Sequence, residues 1–240
     1  MKTPESEMKG RVELKYDRKD FSDFNNKVVF DVQFDKATIA SNDLNYFYNE
    51  FGKNNVFYVD THLVGTLNNF TTHNLKLVDK NQSEIVGTAN FRNLFGKGNQ
   101  KFYMKGNFDR VSSNYEDLKA ILPRILGSNL PSVLAKLGNV NIAGDVELTQ
   151  KYINADVTML SQLGYLEGNL AMQNINNIDN ASYQGNIKLD AFDLGTLLSE
   201  KQIGKATLDL DVDGKGFTQK LLNTAIKGEI EKFYYNGYNY

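Results

Sequence analysis

In the stretch KATLDLDVDG, residues 205–214, Ala206, Leu208, Leu210 and Val212 alternate with Thr207, Asp209, Asp211 and Asp213. A period of two, rather than 3.6, puts the apolar side chains on one face of an extended strand and the polar ones on the other. The alternation recurs in VVFDVQF (28–34), YINADVTML (152–160) and NIKLDAF (186–192). Polar turns such as NNF (68–70), DKNQS (79–83) and NNIDN (176–180) separate such runs. This spacing predicts an antiparallel meander of about a dozen strands, each near the upper end of the usual ~3–10 residues. Three segments break the alternation. NDLNYFYNEFG (42–52) reads as a helix opened by Asn42 and ended by Gly52. In 115–138, Leu118, Ile121, Leu122 and Ile125 stand at helical spacing, and Pro123 and Pro131 cut the segment into short pieces. FDLGTLLSEK (192–201) adds one more turn. All three read as caps or plugs on the sheet.

An apolar-x-Gly-x-apolar pattern punctuates the strands at Gly10, Gly65, Gly87, Gly106, Gly144, Gly168, Gly185 and Gly228. Its irregular spacing excludes a fixed-period solenoid of the helical kinds. Because positions i, i+2 and i+4 share a face, each of these glycines lies among apolar side chains. Glycine inside a strand marks a bend or a close approach to the backbone. Two readings follow. One is a curled sheet with room along its inner surface; the other is a closed core in which large neighbours, Phe and Tyr above all, fill the gaps.

With 240 residues, 41% of them hydrophobic, the chain is long enough for a sizeable core and one or two domains. Lys and Arg number 27 against 29 Asp and Glu, with no long run of one sign, which argues against a nucleic-acid-binding stripe. No cysteine is present, so disulfides and thiolate metal sites are excluded; this fits an oxidising envelope compartment without requiring one. MKTPESEMKGRVEL has no apolar signal-peptide core, and no run of about eighteen apolar residues occurs, so any export address is expected outside this chain. KGEIEKFYYNGYNY still alternates where the sequence stops, and a fragment of a longer protein is expected.

Asp209, Asp211, Asp213 and Gly214 also match the opening of an EF-hand calcium loop. That loop needs flanking helices and a bidentate carboxylate at its last place. Lys220 stands there and the lead-in is strand-like, so the acids belong to a wet strand face. The two histidines, His62 and His73, have no sequence neighbour arranged as a ligand or triad partner, and no zincin, nucleophile-elbow or Walker pattern occurs. No enzyme, metal site or cofactor is expected. NFT (69–71), NQS (81–83) and NAS (180–182) match a glycosylation acceptor, which an Asn-rich chain produces by chance. The aromatic cluster FYYNGY (233–238) reads as core by default and alternatively as a sugar-stacking platform, which would make the chain an all-β adhesin or carbohydrate-binding module. An outer-membrane barrel segment would also alternate, but the proline-broken helices argue against it.

Together, SNDLNYFYNEFG, VGTLNNFTTHNLKL, LPSVLAKLGNVNIAGDVEL, IKGEIEKFYYNGYNY and the recurrent glycine strands resemble an internal piece of a TamB-like protein. This family belongs to the AsmA-like superfamily and forms the translocation and assembly module of Gram-negative envelopes. The resemblance covers nearly the whole chain and implies a β-taco, a long curled antiparallel sheet forming an open groove around an apolar channel. It also implies a non-enzymatic role in phospholipid transport between inner and outer membranes or in outer-membrane protein assembly. The setting would be the periplasm, with an inner-membrane anchor absent from this chain and a TamA-type outer-membrane barrel as partner of the full-length protein. On this reading the fold is mostly β with two or three short helical insertions. Residues 1–112 form a first groove segment with the short helix near 42–52, residues 113–138 a helical insertion, and residues 139–240 a second groove segment continuing beyond the chain. Strand parity places Ile142, Gly144, Val146, Leu148, Ile153, Val157, Leu166, Gly168, Leu170, Met172, Ile187, Leu208, Leu210 and Val212 on one apolar surface, expected to take phospholipid acyl chains.

Overall fold

A computed structural model describes residues 2–46, 52–94, 102–121, 127, 130, 132–175, 177, 179–216, 221 and 223–240. The chain forms one curled antiparallel sheet of 13 strands whose spatial order is their sequence order, and the sheet does not close into a barrel. The strands are β1 (Gly10–Lys15), β2 (Val29–Ala40), β3 (Val56–Thr66), β4 (Asn69–Asp79), β5 (Glu84–Arg92), β6 (Tyr103–Asn114), β7 (Asn139–Thr149), β8 (Tyr152–Ser161), β9 (Gly164–Gln173), β10 (Ser182–Asp193), β11 (Ile203–Lys215), β12 (Asn223–Tyr235) and β13 (Tyr238–Asn239). Short polar turns impose this order, because antiparallel neighbours can be joined by a hairpin whereas parallel ones need a long crossover. β11 and β12 reach 13 residues, longer than the alternation predicts. Both contain register shifts in their mutual pairing, and a bulge lets a strand bend and continue where it would otherwise end.

Directly opposed residues on neighbouring antiparallel strands project from the same face, so the register can be followed across the sheet in rows. One row runs Leu14, Phe30, Gly65, Phe70, Phe91, Met104, Leu148, Ile153, Met172, Tyr183, Gly214 and Thr224, unbroken from β1 to β12. The next runs Val12, Val32, Leu63, Thr72, Ala89, Gly106, Val146, Ala155, Leu170, Gly185, Val212 and Ile226. Alternation within each strand thus adds up to one apolar face for the whole sheet.

Among the described residues, helical pieces occupy four of the connections. A 3-10 turn (Arg18–Asp23) and α1 (Phe24–Lys27) join β1 to β2 at one long edge. At the other edge lie α2 (Ser41–Leu44), α3 (Tyr115–Ile121), a 3-10 turn (Ser132–Leu137) and α4 (Leu194–Leu198). The helix expected from Asn42 differs from expectation: α2 starts at Ser41 with Ala40 in the cap position, so Asn42 lies inside it. Its amide nitrogen donates to Glu5 and Asn54, tying α2 to its neighbours instead of capping it. Residues 47–51 of that expectation lie outside the described residues, as do Leu122, Pro123, Ile125 and Pro131. Asn114 opens α3 by accepting the Asp117 amide at 3.0 Å, and Asp193 opens α4 by accepting the Thr196 amide at 2.9 Å. The insertion between β6 and β7 does not interrupt the sheet, for the two strands pair from Tyr103 opposite Thr149 to Asn114 opposite Asn139.

Among the described residues, three buried clusters hold the sheet. Leu137, Val140, Leu163, Leu189, Phe192, Ala206 and Leu208 gather at the helix-bearing edge of β7–β11, with Leu194 and Leu197 of α4 against them. Phe102, Met104, Leu148 and Ile175 gather at the opposite edge. In the first half α3 lays Ile121 against Phe57, Val59 and Leu75.

Candidate apolar groove

The two halves of the sheet differ in their ladders. Every pairing from β2–β3 to β6–β7 contains a register shift, at Phe34/Ala37, Asp60/His62, Thr72/Leu75, Val86/Gly87 and Phe108/Val111. The pairings β7–β8, β8–β9 and β9–β10 contain none. Each bulge bends its strand and adds twist, so β2–β6 are driven to coil over their own apolar face while β7–β10 keep a regular ladder. Burial follows the ladders. Val32, Thr61, Thr72, Leu75, Gly87, Ala89 and Gly106, from the middle of β2–β6, are buried. Their counterparts Gly144, Val146, Ala155, Val157, Leu170, Gly185, Ile187, Leu210 and Val212 are only half-buried; Gly168, which is buried, and Leu63 and Phe108, which are half-buried, are exceptions in the two halves.

The recurrent glycines serve two purposes. Gly144 and Gly185 have φ of +131° and +144°, a conformation L side chains rarely adopt, and a Cβ on either would collide with a carbonyl oxygen of the neighbouring strand, that of Asp156 or Asn169. These positions kink the strand and draw two backbones together. Gly106 and Gly168 have ordinary backbone conformations. At Gly106 the space is taken by the Phe108 ring, 2.6 Å from where a Cβ would stand. At Gly168 a Cβ would meet nothing closer than Leu166 Cδ2 at 3.5 Å. Of the two readings of the recurrent glycines, room along the inner face holds at Gly168 and filling by a large neighbour at Gly106, while at Gly144 and Gly185 bending comes first.

The sequence-predicted lining residues fall into adjoining rows of one face. Gly144, Val157, Gly168, Ile187 and Leu210 form one row across β7–β11; Val146, Leu170 and Val212 lie in the next, interleaved with Ala155 and Gly185. Ile142, Leu166 and Leu208 form the row on the helix-bearing side, and Leu148, Ile153 and Met172 the row on the other. Their surroundings differ. Ile142, Leu166, Ile187 and Leu210 pack against the cluster containing Leu208, and Val146, Ile153 and Met172 against the cluster containing Leu148. Gly144, Val157, Gly168, Leu170 and Val212 lie between the two clusters and form the floor of a groove. Sequence reasoning missed Ala155, Met159, Gly185 and Leu189 in the same rows, although two-residue parity from Ile153, Val157 and Ile187 reaches all four. The two floor rows from β7 to β11 hold only Gly, Ala, Val, Leu and Ile. At roughly 4.8 Å per strand, β7–β12 give the groove a length of about 24 Å.

The opposite face is polar. Asp145 stands directly across from Asp156, with Asn107 Nδ2 donating to Asp145 at 3.0 Å. Asn186 Nδ2 donates to Asp209 at 2.8 Å and to Asp211 at 3.1 Å. Asp209, Asp211 and Asp213 belong to β11, so the calcium-loop match is a strand; residues 217–220, where the loop would end, lie outside the described residues. Among the described residues no group of His, Asp or Glu is arranged to hold a metal. His62 and His73 face each other across β3 and β4 with ring centroids 6.0 Å apart. His62 does have a partner, Asp31 Oδ1 of β2 at 2.8 Å, which no sequence neighbour announced. That contact, with Lys15 at 3.2 Å, holds the Asp31 carboxyl below its usual range. Tyr152 donates to Glu147 at 2.5 Å, and the bond pushes its phenol up to about 12. The core reading of FYYNGY needs correction. Phe233 packs against a buried cluster, but Tyr238 is 68% exposed, because this hairpin lies at the margin of the sheet.

Comparison with protein families, curated proteins and solved structures finds no match to this chain.

Proposed function

We propose that this chain is a non-enzymatic envelope scaffold whose groove takes phospholipid acyl chains, in transport between inner and outer membranes or in outer-membrane protein assembly. The observation that carries the reading is the pair of floor rows from β7 to β11, apolar without a break, half-buried at every position but the buried Gly168, and free of hydrogen-bonding side chains. A peptide bound there would leave backbone donors and acceptors without partners. A hydrocarbon needs only apolar area, at about 0.8 kcal/mol for each CH₂ removed from water. The groove's length of about 24 Å exceeds the ~15 Å that half of a ~30 Å hydrocarbon core allots to one chain. The TamB-like resemblance supports the periplasmic setting and a TamA-type barrel as partner of a longer protein, and both belong to this proposal.

The test is native mass spectrometry of protein incubated with phosphatidylethanolamine and phosphatidylglycerol vesicles, comparing wild type with Leu170→Asp. In an open groove the new carboxylate reaches water, so the variant keeps its thermal transition and loses bound phospholipid. In a closed core an unpaired buried charge costs several kcal/mol and unfolds the sheet. Wild type that carries no phospholipid, or a Leu170→Asp chain that fails to fold, overturns the reading. Val146→Asp, next to the Leu148 cluster, costs more stability than Leu170→Asp.

A further inference from the structure

The floor of the groove stops at β6. Phe108 belongs to the row of Gly144 and Val157, and its row neighbours are Gly87 on β5 and Gly144 on β7. With glycine on both sides, its ring has no row neighbour to lean on and folds along its own strand onto Gly106. There it enters the adjoining row, between Ala89 of β5 and Val146 of β7, and packs with Val146 against the cluster of Met104 and Leu148. Directly beyond the ring the face is buried at Gly87, Ala89 and Thr72. Ala89 is 1% exposed, and the buried Thr72 donates its hydroxyl to the Ala89 carbonyl at 3.2 Å. One side chain thus crosses both floor rows where half-buried β7–β11 meet buried β2–β6.

We infer that Phe108 is the end wall of the groove and sets the length of acyl chain the groove takes. This rests on the lipid reading above. At the other end Ile226 of β12 is 61% exposed, leaving that end open. A chain entering there runs across β11 to β7 and halts with its terminal methyl against the Phe108 ring. Val157, nearer the mouth, also has glycine on both sides in its row, Gly144 and Gly168, with Ala155 in the place that Gly106 takes beside Phe108. A ring placed at 157 therefore builds a second wall two strands closer to the mouth, about 10 Å.

Binding of a series of saturated lysophospholipids of increasing chain length to the full chain tests this. For wild type, affinity rises with each added CH₂ and levels off once the methyl reaches the ring. Phe108→Ala moves that plateau to longer chains by about one strand spacing, ~4.8 Å, and Val157→Phe moves it to shorter chains by about two. A plateau at the same length in all three proteins overturns the end wall, as does an equal loss of affinity for every chain length. Thermal transitions check that each variant folds; should Phe108→Ala not fold, Val157→Phe, which adds bulk to the half-exposed groove, decides alone. Wild type that binds no member of the series refutes the lipid reading and the end wall with it, whereas wild-type binding with unmoved plateaus refutes the end wall only.

Discussion

The strands β1–β6 and β7–β12 are built from the same alternating unit, in all but β2, β4 and β8 with a glycine in it, and they reach different ends. In the first half, register shifts in successive pairings coil the sheet. Ile121 of α3 packs into the enclosed face, and Thr61 and Thr72 are sealed inside with their hydroxyls given to the His73 and Ala89 carbonyls. Ion pairs cluster on its polar face, Lys15 on Asp31 and Lys76 and Arg110 on Glu84, and the His62 ring hydrogen-bonds Asp31 as well. In the second half the ladder runs regularly from β7 to β10, and amides instead of cations meet the carboxylates, as at Asp145 and Asp209. Alternation decides which face is apolar; the buried middle of β2–β6 goes with a shift in every pairing, whereas β7–β10 pair without one, and the shifts that return in β10–β11 and β11–β12 leave Leu210 and Val212 half-buried.

The sharpest way to break this comparison is at the glycines. Gly185→Ala forces a side chain into a left-handed conformation and onto the Asn169 carbonyl, and should cost about 3 kcal/mol or more, measured as the shift in urea midpoint. Gly168→Ala meets only ordinary contacts and should change stability by less than about 1 kcal/mol. Equal losses would mean that Gly168, too, is a bend and that its space is not part of a groove. A smaller effect separates two leucines. Leu75→Ala, in the sealed half, should lose about 2–5 kcal/mol, and Leu170→Ala, half-exposed on the groove floor, about 1 kcal/mol. Should Leu170→Ala cost as much as Leu75→Ala, the second half is a closed core like the first.

The smallest effect is the response to acid. Hydrogen bonds from His62 and Lys15 lower Asp31, and those from Ser6 and Thr3 lower Asp43. Burial pushes Glu84 up, but Arg110 and Lys76 together more than reverse it. In the second half the Thr196 amide lowers Asp193. A carboxyl whose folded pKa is depressed contributes stability above its unfolded value of about 4, and that stability is lost as pH falls through the lower folded value. Between about pH 6 and about pH 3, amide exchange corrected for intrinsic rates should therefore rise in β2–β5 before β8–β10. A uniform rise across both halves would show that the ion pairs of the first half contribute nothing to the difference.

How much of this was readable beforehand depends on the range of the cause. The strand over Asp209–Asp213 was legible from a few residues, and so was the helical turn within 192–201, because both are set by neighbours in sequence. The His62–Asp31 contact was not, since register between β2 and β3 brings those residues together. FYYNGY is largely exposed instead of core for the same kind of reason: aromatic composition is local, whereas having a neighbour to pack against depends on a strand's place in the sheet.

The sequence by itself determined the strands, their order and the face each side chain takes, because a two-residue period and short turns are local properties that a slip of one residue would invert completely. It thereby placed Ile142 to Val212 on one face before any contact was known. Only the tertiary structure decided that this face is sealed in β2–β6 and half-open in β7–β11. That outcome depends on where bulges fall in pairs of strands, on Phe108 folding onto Gly106 between two glycines from other strands, and on Ile121 reaching β3 and β4. Each is a packing relation between residues far apart in the chain, and no periodicity within a single strand encodes it.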